Sequence, residues 1–418
     1  MEKTRGLNWL LTSSAASNLG DGLGKVALPL LASTLTRDPV LIAGLSATQF
    51  LPWLLFAAVA GALVDRIDRR RAMIVANTVR AVAVGVLAVV VAAGGMTIWL
   101  VYLTALVIGT AETIADSAAN ALVPAVVGDG SLDAANSKLQ ACEIVGQTFL
   151  GGPIGSLSFA LFAAFPFFLN SAGFAIAAAV LLGLAGTYRG TTEVAEVAVR
   201  PAKLRTELAE GLRWLRGHTL LLRLVTIAGL LSLVSELAQA QLVLYALEDL
   251  HLSEATFGFF AFVGGIGGLI GAGVTPRLVR AAGRRAVVVG GIIGCAAGFG
   301  GMGLVRSPVA GAALFGLFAA AVVAVNVVLA TARHRLVPGA LLGRVLGVWR
   351  TVVWGAIPLG ALLGGVLTEA LGTAARTFAV SGVVMLVIAG LAFGALRRSS
   401  LDDESDSAGA LLHQDPGL

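Results

Sequence analysis

With 57% of its 418 residues apolar, the chain holds about as many apolar side chains as twelve bilayer spans of ~20 residues require. Only 13% of its residues are charged, about half the share of a soluble domain, so a soluble protein is excluded. The net charge of +5 does not mark a nucleic-acid binder, because the basic residues form short scattered clusters with no aromatic-interleaved basic face.

Apolar runs separated by Gly, Pro and charge clusters predict helices at 8–36, 40–64, 72–94, 97–122, 134–163 and 165–187. The first follows a short basic start but is too long and too polar for a signal-peptide core, so it is expected to remain as a span. Next comes a polar linker, 188–219, in which Leu204, Leu208, Leu212 and Leu215 recur at helical spacing. That pattern predicts an amphipathic helix on the membrane surface. Six more helices follow at 220–248, 253–275, 284–304, 308–333, 341–369 and 373–396. The tail, 397–418, is acidic from Asp402 to Asp406 and reads as a disordered end.

The expected fold is an all-α membrane protein of twelve transmembrane helices in two pseudo-symmetric six-helix bundles, 1–187 and 220–396. The 53 glycines, about twice the usual share, suit close helix packing in lipid. With both termini cytoplasmic, all but seven of the 29 Lys and Arg residues fall on the inner side. Arg37, Arg306 and Arg376 lie outside, and Lys25, Arg80, Arg223 and Arg350 lie within spans. This asymmetry predicts the orientation of a multi-pass protein in the cell's inner (plasma) membrane. Cys142 and Cys295 sit in apolar runs, and His218, His251, His334 and His413 in loops or the tail. No metal-ligand or catalytic spacing results, so no metal, cofactor or enzyme activity is expected.

The chain also repeats. Gly61-Ala62-Leu63-Val64-Asp65-Arg66-Ile67-Asp68-Arg69-Arg70-Arg71 closes the second predicted span. Gly271-Ala272-Gly273-Val274-Thr275-Pro276-Arg277, followed by Gly283-Arg284-Arg285, closes the eighth, about half a chain later. The first segment resembles the G-x-L-x-D-R-x-x-R-R/K-x signature between spans two and three of the major facilitator superfamily, and the second resembles its degenerate copy. Gly151-Gly152-Pro153-Ile154-Gly155 on span five is similar to the G-P-x-x-G antiporter signature of exporters, with one residue fewer before the last glycine. Gly343-Arg344-Val345 with Pro358-Leu359-Gly360 resembles the macrolide-efflux and enterobactin-exporter branch of multidrug exporters. The span-four arginine of common drug/proton antiporters is absent from Leu103–Glu112, so that coupling scheme does not transfer.

A charge at mid-membrane is costly, so acids inside spans usually face a cavity or a partner. Ser14, Asn18, Asp21 and Lys25 share one face of span one, Glu112, Asp116 and Asn120 one face of span four, and Ser232, Glu236 and Gln239 one face of span seven. The resemblance implies that these spans and span ten line a central cavity. Asp21 and Glu236, then Glu112 and Asp116, are the proton-coupling candidates. A fixed Asp21–Lys25 pair and an Asp116–Arg80 structural lock are the competing readings, and Glu143 reads as a gate or packing residue. Asn18, Gln49, Trp53, Gln147, Gln239, Asn326 and Trp354 are the substrate-cavity candidates.

Gly61, Asp65, Arg66, Arg69, Arg70, Gly271, Arg277, Gly283 and Arg284 are expected to form a cytoplasmic gate, against a simple positive-inside anchor. Gly151, Gly152, Pro153 and Gly155 are expected to permit close packing and a bend in span five. The resemblance implies a monomeric, proton-coupled antiporter that works by alternating access in the lipid bilayer. It would export small amphipathic organic compounds, giving multidrug efflux. The alternatives are a dedicated exporter of an endogenous metabolite such as a siderophore, or a substrate/proton importer.

Overall fold

In a hydrocarbon interior the backbone has no hydrogen-bond partner but itself, and every regular element among the described residues is a helix. The computed structural model describes residues 2–64, 67–127, 132–186, 188 and 201–396, apart from the side chains of 2–5, 57–63, 133, 201–208 and 339–340. Helix α1 covers Glu2–Leu35, α2 Pro39–Val64, α3 Arg69–Ala92 and α4 Ile98–Val127. Helix α5 (Leu132–Glu143) passes through a π-helical segment, Ile144–Gly151, into α6 (Gly152–Leu161), and α7 is Phe165–Leu182. After α8 (Pro201–Gly217), α9 (Thr219–Gln239) continues through a short turn, Leu242–Leu244, into a second π-helical segment, Tyr245–Asp249. The last five are α10 (Glu254–Ala282), α11 (Arg284–Met302), α12 (Pro308–Leu336), α13 (Gly339–Leu371) and α14 (Ala374–Ala395).

Eleven spans among the described residues are long and apolar enough to cross a membrane, which makes this an all-α, multi-pass membrane protein. Helix α1, expected as a twelfth, is not among them. It carries Asp21, Lys25 and four serines on a frame otherwise suited to the bilayer. The surface is apolar where a soluble protein would be polar. On α3, Val75, Val82, Val86 and Val89 are 52–61% exposed, a stripe that meets lipid.

The chain divides into two units, Met1–Arg200 with Leu252–Phe262, and Pro201–His251 with Val263–Leu418. Helix α8 belongs to the second. Its Leu215 is buried, Glu210 pairs with Arg344 at 2.9 Å, and a Cβ on Gly211 would stand 2.8 Å from the Arg344 carbonyl oxygen. Part of the face expected to rest on the membrane therefore packs on α13.

The repeat seen in sequence has a physical counterpart inside each unit. Arg70 at the start of α3 donates to the Leu181 and Leu182 carbonyls at the end of α7, at 2.8 and 2.7 Å. Arg285 at the start of α11 donates to the Phe393 carbonyl near the end of α14 at 2.7 Å, with its guanidinium 4.3 Å from the Phe393 ring centroid. The last carbonyls of a helix lack partners within it, and in both units an arginine from a neighbouring helix start supplies one.

Asp68 caps α3. One carboxylate oxygen accepts the Arg71 N–H at 2.9 Å and the other the Tyr188 N–H at 2.8 Å. Burial pushes the Asp68 carboxyl up, but these two donors and the charges of Arg71 and Arg70 outweigh it, so its pKa lies below the usual carboxylate value. A depressed pKa gives stability that is full above the unfolded value of ~3.9 and lost as the pH falls through the folded one. Asp68→Ala is expected to cost about 1–2 kcal/mol at pH 7. The gap in unfolding temperature between variant and wild type should close below about pH 4, and a gap unchanged at pH 3 would contradict an ionised cap.

Candidate functional site

Pro153 has no N–H to give and would clash with a carbonyl one α-turn earlier, and the π-helical register of Ile144–Gly151 directly before it accommodates the proline without a break. The glycines around it set the packing distance to α1. A Cβ on Gly22 would stand 2.7 Å from both the Cα and the carbonyl oxygen of Gln147, and one on Gly146 would stand 3.0 Å from the Leu19 nitrogen. Gly151 abuts Gly22, and Gly155 faces Leu23. On its other side, α6 meets the first turns of α10 within the same unit. There Gly152 faces the Gly258 carbonyl, and Ser156 donates to the Ala255 carbonyl at 3.0 Å.

This close approach puts Gln147 into a hydrogen-bond chain with α1. Lys25 donates to the Gln147 side-chain oxygen, the Gln147 amide donates to Asn18 Oδ1 at 2.7 Å, and the Asn18 amide donates to the Ser14 carbonyl at 2.8 Å. Lys25 is therefore held by Gln147, and the Asp21–Lys25 pair considered from sequence is not formed.

Asp21 pairs with Arg80 of α3, and their side chains are 10% and 3% exposed. The guanidinium lies 3.9 Å from the ring centroid of buried Phe174 on α7, which directs it towards α1. Asp116, the partner expected for Arg80, is exposed and makes no ion pair with it. Arg80 Nε is buried without a hydrogen-bond partner, so Asp21 carries most of the compensation for this charge.

Beside the pair is a cavity of about 110 Å³ walled by α1, α2, α4 and α7, with Asp21, Lys25, Gln49, Trp53, Glu112 and Asn170 in its lining. Five of these six are sequence candidates. Asn170 was missed, although it is an isolated amide in the apolar run of α7. It is 2% exposed, and its Oδ1 has no partner. Glu112 is half-buried and makes no ion pair with a described residue. The volume suits roughly three or four waters at ~30 Å³ each and is well below the ~300–1,000 Å³ of an organic-ligand pocket. Gln49 and Trp53 thus line a water-sized, charged site, and Asn18 and Gln147 lie in the network that ends at Lys25.

Glu143 is exposed and accepts from Gln140 at 3.1 Å. In the second unit, Glu236 is half-buried on α9 and Gln239 follows on the same helix. Gly360 and Gly364 of α13 press on the Leu233 and Leu237 carbonyls, so the α9–α13 seam is tight beside Glu236. Trp354 is 37% exposed, with the Arg350 guanidinium 5.9 Å from its centroid, and Asn326 is exposed on α12. One acid just past the predicted span 220–248 also matters structurally. Asp249 is 8% exposed, and it accepts from the Ala375 N–H at 2.8 Å and from Arg306 at 3.4 Å.

Of the expected gate, Asp65 and Arg66 lie outside the described residues. Gly61 ends α2. Arg69 donates to the Ala121 carbonyl at 3.2 Å and Arg70 to the end of α7, both within their own unit. Gly271 packs on Ala320, Arg277 is exposed, and Gly283 adopts φ +81° just before Arg284 opens α11. Among the described residues, no group of three or more His, Cys, Asp or Glu could hold a metal ion.

Residues 3–416 match the family described as transmembrane secretion effector. An uncharacterized MFS-type transporter of Bacillus subtilis (strain 168), YfiS, is 27% identical over 398 residues, covering 92% of this chain and 91% of that one. Among solved structures, a mutant of the nucleoside transporter NupG has a TM-score of 0.71 at 13% identity, covering 93% of this chain and 100% of that one. A bacterial homologue of the iron transporter ferroportin, in an inward-facing state, has a TM-score of 0.70 at 16% identity, covering 94% and 99%. These identities establish the fold alone. The chain belongs to the transmembrane secretion effector family of MFS-type transporters, and it is a secondary transporter of small molecules across a membrane, not an enzyme.

Proposed function

We propose that the chain is a proton-coupled exporter of small amphipathic, weakly cationic organic compounds. It works as a monomer in a bacterial plasma membrane, by alternating access between two six-helix bundles of a twelve-span fold with both termini cytoplasmic. The observation that carries this reading is the water-sized cavity in which Asp21 is held by Arg80 while Glu112 has no ion-pair partner among the described residues. Counting Arg80 and Lys25 against Asp21 and Glu112, the cluster is charge-balanced when both acids are ionised. A proton on Glu112 leaves one net positive charge, which repels a cationic substrate. Proton and substrate then compete for one negative charge, as an antiporter requires.

Glu236 offers the second unit an equivalent acid without a described ion pair. In this reading Asp21 holds Arg80 in place, and the exchangeable protons sit on Glu112 and Glu236. The family's description as a secretion effector favours export, and the Gly151–Gly155 packing supports the antiporter resemblance. A placement in the macrolide-efflux and enterobactin-exporter branch rests on the span-eleven glycines and proline.

The test uses purified protein in vesicles loaded with a fluorescent lipophilic cation under an imposed pH gradient. Glu112→Gln and Glu236→Gln are each expected to lower uphill transport of the cation at least ~10-fold. If both variants keep gradient-driven accumulation, the proton assignment is wrong.

A further inference from the structure

A second cavity lies on the flank of the first unit. It is a groove of about 630 Å³ between α3 and α4, lined by Ile67, Asp68, Arg71, Val75, Val79 and Leu106 among others. Its depth comes from small residues. Ala72, Ala76 and Ala111 are all about 5% exposed and form the floor, while Val75 at 61% and Val79 at 42% stand as a rim. From the start of α3 to Val79 the groove follows about 15 Å of helix, close to the ~15 Å of hydrocarbon in one leaflet.

Its polar content is confined to one end. Thr110 in the wall spends its hydroxyl on the Leu106 carbonyl at 2.7 Å, so the interior offers hydrocarbon surface. At the mouth, in the first turn of α3, the exposed Arg71 guanidinium makes no hydrogen bond or ion pair with any described residue. The neighbouring acid, Asp68, is 5% exposed, and both its oxygens are occupied by backbone N–H groups. A cation without a partner among the described residues, at one end of a leaflet-deep apolar slot, is the complement of one molecule: an anionic head on an acyl chain.

We propose that this groove is a binding site for an anionic phospholipid, with one acyl chain between α3 and α4 and the phosphate on Arg71. The occupant is a resident lipid, held by a feature the transport cavity does not share. A small phosphate would find the cation but nothing for the slot, and a neutral lipid would find the slot but no use for the cation.

The experiment reconstitutes full-length protein in nanodiscs of equimolar phosphatidylglycerol and phosphatidylcholine, extracts it in mild detergent, and quantifies retained lipid by native mass spectrometry. Wild type is expected to retain phosphatidylglycerol over phosphatidylcholine by about fivefold, the effect of one basic residue at the interface. Arg71→Gln should abolish that preference and Arg71→Lys restore part of it. Ala76→Phe should reduce retention of both lipids by filling the floor, and Arg71→Gln decides the matter if that variant fails to fold. Equal retention of the two lipids by wild type, or an unchanged preference in Arg71→Gln, overturns the proposal. Displacement of bound phosphatidylglycerol by millimolar inorganic phosphate or by the fluorescent cation also overturns it, assigning the groove to a free anion or to the substrate.

Discussion

Asp21→Asn is expected to destabilise the detergent-purified protein by about 3–5 kcal/mol, because it leaves Arg80 charged and buried without its ion-pair partner. The guanidinium has nowhere to go. Its side chain is 3% exposed, it lies on the Phe174 ring, and among the described residues its only other hydrogen bond is to Asn77 at 3.5 Å. Arg80→Met alone should cost less than Asp21→Asn, since a lone carboxylic acid can take up a proton and an arginine cannot lose one. The double variant should be more stable than Asp21→Asn, because a neutral pair of similar volume carries no desolvation penalty. Thermal unfolding of the four proteins measures the coupling. Additive single effects would mean that the pair contributes nothing as a pair.

Gly22→Val is expected to cost at least ~3 kcal/mol and much of the correctly folded protein on expression. The obstruction is backbone. Even a single Cβ at this position would stand 2.7 Å from Gln147 Cα and 2.8 Å from the Gly146 carbonyl oxygen, and neither can rotate aside. Separating α1 from the π-helical segment would also pull Gln147 from Asn18 and Lys25. Gly94→Ala, at an uncrowded turn with φ +73°, is the control for backbone strain without crowding. Size-exclusion profiles and unfolding temperatures separate the two. A Gly22→Val protein as stable as wild type would show that the helices part without cost.

The periodic signals were legible from sequence and the pairings across helices were not. Each predicted span has its helical counterpart among the described residues, and all but α1 are long and apolar enough to cross a membrane, because a long apolar run in lipid has few alternatives to a helix. Stacking of Asn18, Asp21 and Lys25 on one face of α1 followed from spacing alone. Which neighbour each would meet did not. Asp21 and Arg80 are 59 residues apart, and their encounter depends on Phe174 from a third helix. Likewise, Gly151-Gly152-Pro153 suggested a bend, but a π-helical insertion that removes the proline's clash without a break has no periodic signature. The arginines at Arg69 and Arg70 read as a gate because their charge is conspicuous in sequence. In the structure Arg69 donates to the Ala121 carbonyl inside α4 and Arg70 to carbonyls at the end of α7, partners that no sequence pattern marks.

The polarity of α1 bears on how the chain enters its membrane. Two ionic side chains near the middle of a helix each add ~2.5–3.5 kcal/mol to the work of moving it from the translocon into lipid. Yet α1 leaves the ribosome before the arginine and glutamine that hold those side chains, which arrive on α3 and in the π-helical segment. In the proposed twelve-span fold, the lodging of α1 in the bilayer depends on later translation, which makes biogenesis of this unit cooperative across about 130 residues of nascent chain.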